Sequence, residues 1–384
     1  MLRFILAGLL SSLLALGAAA DRINDAIAAY NAVVNTSDTE AKLAAAEALG
    51  EAAMVAEERD DAALLAFEAA KTLCLANACE AAKPVANWAL SKGGNFEDVP
   101  YEDFIVLSAY ADWRVDDRRA TRAALDKALT TIVKTEPSFM SVIIFQVRYA
   151  EDLADEKWAR AALTAEQAAE HFEPVKAVIG QQWSNARTAA IASAFNDEPE
   201  LDHLFAFASL ERELNEIHSA HHEANGDAPH AAWLDTSRYT AQAWRLASEA
   251  YFKSTSHKAS SEARSLEQQV EAIVSYENTD LQPSEMTGLP LCEGEFRMRP
   301  SLSYPSRAAR RGQFGAVIMQ LSLADGKVSS IEPLASVPAD GFKDQATKTV
   351  SKWTWRTDVP KTDIGVACRM DKENIILPLI FALR

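Results

Sequence analysis

The sequence predicts an α+β fold. An all-α helical-repeat domain of α-solenoid type precedes a small domain with a short antiparallel sheet and a packed helix. In residues 21–276, alanine is abundant and apolar residues recur at helical spacing. Residues 316–323 alternate instead with the period of two that is typical of a strand. Asp325-Gly326 follows them directly and supplies the positive φ angles that a tight hairpin turn requires.

Residues 1–20 have the features of a secretory signal peptide. Arg3 forms a short basic region, Phe4–Leu16 is apolar, and Ala18-Ala19-Ala20 gives a small-x-small cleavage site. An uncleaved membrane anchor is the alternative, but the apolar stretch is short for a span of about 20 residues. We therefore expect export with cleavage before Asp21.

The helical-repeat domain is predicted to cover residues 21–276. Capping boxes begin at Ser37 and Thr164, each with an acid or an amide three residues later. Segments of about 15–20 residues joined by short loops predict antiparallel helix pairs stacked on one another. Residues 63–70 (Ala-x-x-x-Phe-x-x-Ala) resemble the second helix of a tetratricopeptide repeat. The Trp and Leu-Gly expected in the first helix are missing from their register, so we predict a helical repeat and not that repeat family.

Apolar stripes at helical spacing define the faces of three predicted helices. They are Phe104, Leu107 and Ala111; Leu266, Val270, Ile273 and Val274; and Phe342, Ala346, Val350 and Trp353. Residues 139–147 are apolar nearly all round, so their helix is expected to be deeply buried. Residues 277–299 contain proline and glycine but few periodic apolar residues, and predict a linker to a domain over residues 300–384.

Six short motifs follow one another in the last domain. In order, they are Tyr304-Pro305, Ala309-Arg310-Arg311, Gly312-Gln313-Phe314-Gly315, Asp325-Gly326, Trp353 or Trp355, and Pro378-Leu379-Ile380-Phe381-Ala382-Leu383. This order resembles the C-terminal domain of TonB-family proteins. The resemblance covers about residues 300–384 and implies a partner-binding module of the Gram-negative periplasm, not an active site. Two tryptophans stand where the family usually has one, so the sequence leaves open which of them fills that position.

Two groups of residues are candidates for partner binding. Arg307, Arg310 and Arg311 form a basic group that either docks an acidic partner or solvates a short helix. Residues 375–383 predict an edge strand, because Pro378 cannot donate a hydrogen bond to a neighbouring strand. Ile376, Pro378 and Ile380 are the candidate contacts along that edge, which is either open to a partner strand or closed by another segment of this chain.

The charge distribution bears on the class of partner. The chain has a formal net charge of −17. Residues 293–384 hold 14 Lys and Arg against 10 Asp and Glu, so the remainder carries a net charge of −21. A strongly acidic body argues against binding to nucleic acid or to an anionic membrane surface. Together with the periplasmic address that the resemblance implies, this favours protein partners in the cell envelope.

Four cysteines in an exported chain predict disulfide bonds. Cys74–Cys79 and Cys292–Cys368 is the simplest of the three pairings, because the first pair is five residues apart in the helical domain and the second pair brackets the C-terminal module. Four reduced, buried thiols are the alternative. A helix cannot continue unbroken between Cys74 and Cys79, because five residues rise about 7.5 Å and bridged Cα atoms lie closer than about 7 Å. Asn77 is the expected point at which the helix stops.

One histidine group could hold a metal. It comprises His218, His221, His222 and His230, near the acids Glu223 and Asp227. His218 and His222 are one helical turn apart, but the zinc-protease pattern is absent, and a polar helix end followed by a turn explains the composition better. No other pattern of catalytic residues is recognisable, so we expect neither an enzyme nor a cofactor.

The sequence thus predicts a non-enzymatic periplasmic interaction protein that carries a TonB-like partner-binding module, with a possible link to envelope transport. Two alternatives remain at this point. One is a TonB-like energy transducer with an uncleaved anchor, although the long Pro-rich spacer of such a protein is missing. The other is a metal-dependent enzyme that uses the histidine group from His218 to His230.

Overall fold

The structure is a computed structural model. It describes residues 21–94, 96, 99–225, 232–255, 260–274, 294–298, 300–338, 341–356 and 371–382. The predicted signal peptide, most of the predicted linker, Cys292 and Cys368 lie outside these ranges. Across the described part of the chain, no helix combines the length and the apolar character that a membrane span requires.

Fourteen α-helices, one short 3₁₀-helix (Glu173–Val175) and five strands are described. The helices of the first part are α1 (21–33), α2 (Thr39–Val55), α3 (Ala62–Leu75), α4 (Cys79–Lys92), α5 (Tyr101–Val115), α6 (Arg119–Ile132), α7 (Phe139–Ala154) and α8 (Trp158–Phe172). They are followed by α9 (Gly180–Asp197), α10 (Leu201–Asn225), α11 (Ala232–Thr255) and α12 (Ser260–Val274). The last part contains β1 (Glu295–Arg297), α13 (Ser306–Arg310), β2 (Gly315–Ala324), β3 (Lys327–Val337), α14 (Phe342–Val350), β4 (Thr354–Arg356) and β5 (Lys372–Phe381). The α+β fold class is therefore as predicted.

Contacts divide the chain into two compact units. The N-terminal unit comprises residues 1–155 and 164–178, and the C-terminal unit comprises residues 156–163 and 179–384. The C-terminal unit thus contains α9 to α12 together with the whole sheet. Its β1 lies inside the segment 277–299, to which the sequence assigned a linker and no strand. The predicted domain bounds stay a prediction.

In the N-terminal unit, each helix from α2 to α6 packs against the next one along the chain, as expected for helical repeats. Cys74 and Cys79 form a disulfide bond with a Cα–Cα distance of 4.3 Å. The helix stops between them, as predicted: α3 ends at Leu75, and Asn77 has a positive φ of 64°. Asparagine tolerates this left-handed conformation better than most residues do.

Two predictions for this unit need correction. Asp38 caps α2 by accepting a hydrogen bond from the amide of Ala41, within the first predicted capping box. Thr164, however, lies inside α8, because that helix already begins at Trp158. Helix α7 is buried along most of its length, yet its first residue, Phe139, is 70% exposed.

The five strands form one sheet in the order β1-β4-β3-β2-β5, with every pairing antiparallel. Asp325 and Gly326 have φ angles of 49° and 70° and connect β2 to β3, as the sequence predicted. Gly315 begins β2 where a Cβ atom would come within 2.6 Å of the Phe342 ring. A side chain at that position would displace the packed helix.

Helix α14 covers one face of the sheet. Its predicted stripe is buried against alternate residues of β2 and β5, in a core that includes Val317, Met319, Leu321, Phe342, Ala346, Val350, Trp353, Leu379 and Phe381. The Nε1 atom of Trp353 donates a hydrogen bond of 2.8 Å to the carbonyl of Pro300. Trp355 lies instead on β4, with its ring against Phe296. Trp353 is therefore the core tryptophan of this domain.

Helix α11 covers the other face of the sheet, which the sequence analysis did not predict. Ala243 and Ala247 of α11 pack on Ala316, Ile318, Ala335 and Val337 of β2 and β3, and Tyr239, Trp244 and Leu246 border this cluster. Small residues on α11 allow the helix to approach the strands closely. The start of β2 and the end of β3 are consequently buried on both faces, and the same unit supplies both covering helices.

Candidate partner-binding edge and groove

Strand β5 forms one edge of the sheet. It pairs with β2 along its length, from Leu323↔Lys372 to Gly315↔Phe381. Within the described ranges, no strand pairs with its other side. The predicted edge position of this run is therefore found in the structure, and Pro378 lies in its middle, opposite Ile318.

Side chains of β5 alternate between the two faces of the sheet. Ile375, Leu377, Leu379 and Phe381 face the core beneath α14. Ile376, Pro378 and Ile380 point to the opposite face and are exposed, Ile376 by 38% and Ile380 by 45%. These three are the residues proposed from sequence as contacts of the edge, and the structure brings them together on one face. Proteins usually avoid exposed isoleucines beside an open strand edge, and among the described strands this edge is open.

A groove lies between the outer face of β5 and the C-terminal half of α11. It has a volume of about 480 Å³ and is lined by Leu246, Glu249, Ala250, Lys253 and Ser254 from α11 and by Ile380 and Ala382. Four of the seven lining residues are apolar. The α11 residues of this groove were not found by sequence reasoning. They belong to a different predicted domain, and no local pattern links them to β5.

Charged residues fix the part of α11 that lines the groove. Arg245 binds Glu211 at 2.5 Å and Glu249 at 3.1 Å, while Lys253 binds Glu249 at 2.7 Å and Glu267 at 3.6 Å. Burial raises the pKa of Glu211, although Arg245 opposes this shift. Burial alone would lower the pKa of Lys253, but its contacts with Glu249 and Glu267 raise it. This network ties α11 to α10 and α12 and holds that wall of the groove in place.

The predicted basic group lies at the Phe381 end of β5. The ring of Tyr304, two residues before α13, contacts the ring of Phe381 at 6.2 Å. Phe314, which follows α13, contacts Tyr251 of α11 at 5.3 Å. Helix α13 is thus held between these two ring contacts.

Arg307, Arg310 and Arg311 are all exposed on or directly after this short helix. Arg311 is 3.6 Å from Glu156 of the same unit. One arginine of the group therefore already has an acidic neighbour within the chain. The structure places the basic group beside the edge strand but does not bring it into the groove lining.

The histidine group does not assemble into a metal site in the described residues. His218 lies 3.5 Å from Asp235, and both positions are on helices of the C-terminal unit. His230 and the side chain of His222 fall outside the described residues. No cluster of three or more His, Cys, Asp or Glu side chains suited to a metal ion occurs among the described residues.

A serine and a histidine also meet in the N-terminal unit, but in a structural setting. Ser141 and His171 share a hydrogen bond of 2.8 Å, and the other ring nitrogen of His171 lies 3.2 Å from the carbonyl of Val133. Both side chains are about 1% exposed. Burial lowers the pKa of His171, against the hydrogen bond to Val133. This buried pair connects α7 and α8.

Comparison with known proteins bears on the sheet domain. Residues 300–372 match the family described as Gram-negative bacterial TonB protein C-terminal. The match includes α13, β2, β3, α14 and β4, and it ends where β5 begins. No curated protein and no solved structure matches the chain significantly. Residues 300–372 are accordingly similar to the TonB C-terminal domain, whose family is associated with the Gram-negative envelope.

Proposed function

We propose that this protein is a non-enzymatic interaction protein of the periplasm, and that a partner protein adds an extended segment to the edge of β5. The TonB C-terminal domain supports an envelope protein-interaction module. The observation that carries the proposal is the outer side of β5, where Ile376 and Ile380 are exposed beside an edge with which no described strand pairs. Strand addition uses main-chain hydrogen bonds for affinity and alternate side chains for specificity.

The helical region then acts as a scaffold for the module. Helix α11 buries the sheet face formed by Ala316 and Ile318, so the sheet is held rigidly against this helix. A rigid edge loses less conformational freedom on binding than a flexible segment does. Protein partners, absence of a cofactor and a possible part in envelope transport belong to the same proposal.

Site-specific photocrosslinking in cells tests the proposal. A photoreactive phenylalanine replaces Ile380 in the full chain, and the control replaces Lys343, an exposed residue of α14 on the other sheet face. We expect a discrete crosslinked envelope protein at position 380, with the attachment site in an extended segment of that protein. Equal crosslinking from both positions, or none from position 380 in cells that contain the folded protein, would contradict the proposal.

A further inference from the structure

We infer that α11 is the second wall of the partner site. The bound segment then places small apolar side chains against α11 and an acidic residue at the Phe381 end of β5. This inference rests on the proposed function and adds to it a source of specificity. Helix α11 lies outside the matched TonB C-terminal domain at residues 300–372.

The geometry of an added strand places its side chains next to α11. Neighbouring strands of a sheet lie about 4.8 Å apart, and alternate side chains point to the same face. A strand beside β5 therefore directs every second side chain to the face on which Ile376 and Ile380 are exposed. Helix α11 covers the same face of the sheet over β2 and β3, and the groove lies between α11 and β5.

The lining of the groove selects the size and polarity of those side chains. Leu246 and Ala250 of α11 and Ile380 and Ala382 of the β5 segment form its apolar part. Lys253 does not offer an uncommitted charge, because Glu249 and Glu267 already hold its ammonium group. The volume of about 480 Å³ is in the range of about 300–1,000 Å³ that is typical of ligand pockets. Small apolar side chains match this lining.

The two ends of β5 differ in charge. At the start of the strand, Asp371 accepts a hydrogen bond of 2.6 Å from the amide of Asp325, and Lys372 and Glu373 follow it, so these three residues carry a net charge of −1. At the Phe381 end lies the exposed basic group of α13. Arg311 is at most about 14 Å from Gly315, because four extended residues span no more than that. Gly315 pairs with Phe381, so the basic group lies near this end of β5.

Arg307 and Arg310 supply the positive charge that selects an acidic residue in the partner segment. Arg311 is 3.6 Å from Glu156, and Arg307 and Arg310 are exposed on α13. An acidic residue of the partner segment that reaches past Phe381 would meet this positive field. Electrostatic complementarity of this kind fixes register and excludes the wrong partner more than it adds affinity. The occupant is therefore an apolar extended segment with an acidic end.

The test uses the full chain and a phage-displayed library of random peptides of about twelve residues as the probe. Peptides are selected on the wild-type protein, and amide exchange of residues 375–381 identifies those that bind β5. We expect such peptides to alternate apolar with polar residues and to carry Asp or Glu at one end. Arg307→Glu with Arg310→Glu should weaken their binding by about tenfold, whereas Lys343→Glu with Lys348→Glu on α14 should leave it unchanged.

The α11 wall is tested separately with Ala250→Gln, which projects a long side chain into the groove. Binding should weaken by about tenfold or more. Thr236→Gln is the matched control, since it is exposed on the same helix about 21 Å away. Peptides that slow β5 exchange but bind equally to all variants would overturn the inference and leave the proposed function standing. A selection that yields no peptide able to slow β5 exchange would contradict the proposed function itself.

Discussion

The packing of α11 on the sheet predicts how much stability is lost when the side chain of Ile318 is shortened. This side chain is 0% exposed and lies in the cluster formed with Ala243 and Ala247 of α11. Ile318→Ala removes three carbon atoms, which at about 0.8 kcal/mol each is a transfer loss of about 2.4 kcal/mol. The cavity that remains adds to this, so we expect a total loss of about 3–4 kcal/mol in the stability of the C-terminal unit.

Native-state amide exchange measures this loss without requiring the whole chain to unfold in one step. The variant should accelerate exchange in β2 and in the residues of α11 that pack on it. Gln320→Ala is the control, because Gln320 is on the same face of β2 but bonds the side chain of Asn374 at the surface. It should cost less than about 1 kcal/mol. If Ile318→Ala behaved like the control and left α11 exchange unchanged, α11 would not be packed on the sheet.

Four further predictions concern the rest of the chain. Burial lowers the pKa of His171, so the unfolded chain binds the proton more readily. The contribution of neutral His171 to the stability of α7 and α8 should therefore be fully present above about pH 6.5 and be lost below it. Amide exchange in α7 and α8 that depends on pH equally in the wild type and in His171→Gln would contradict this. Arg148→Ala leaves Asp152 buried without its 2.7 Å partner and should cost about 3–5 kcal/mol, with Arg148→Met costing less; equal chemical-denaturation midpoints for the two variants would refute the reasoning. Cleavage of the signal peptide predicts that mature protein begins at or near Asp21 by N-terminal sequencing, and intact Met1 in the membrane fraction would favour the anchor. A Cys292–Cys368 bond should stabilise its domain by about 3–5 kcal/mol, and peptide mapping without reductant that finds both thiols reduced would exclude it.

The sequence alone predicted those structural elements whose determinants are local. Asp325-Gly326 requires positive φ, and the stripe from Phe342 to Trp353 has only one apolar face, so hairpin and helix follow directly. The stop at Asn77 follows from the geometry of a short disulfide loop. The edge position of β5 follows from Pro378, because a central strand would need the hydrogen bond that proline cannot donate.

The rest depends on contacts between residues far apart in the chain. Nothing in the local pattern of Ala243 and Ala247 indicates that they meet Ala316 and Ile318. A signal was nevertheless present, since β2 begins with apolar residues on both of its faces, which is typical of a strand covered on both sides. Thr164 illustrates the opposite error, because its capping pattern occurs inside α8, which already begins at Trp158.

The most direct test of the partner-binding account is amide exchange of residues 375–381 with and without the envelope protein captured at position 380. The account predicts rapid exchange at the outer amides of β5 in the protein alone and slow exchange in the complex, with Lys343 and its neighbours in α14 unchanged. Rapid exchange of β5 in a complex that is demonstrably formed would contradict it. So would slow exchange that is the same with and without the partner, because the edge would then be closed by this chain.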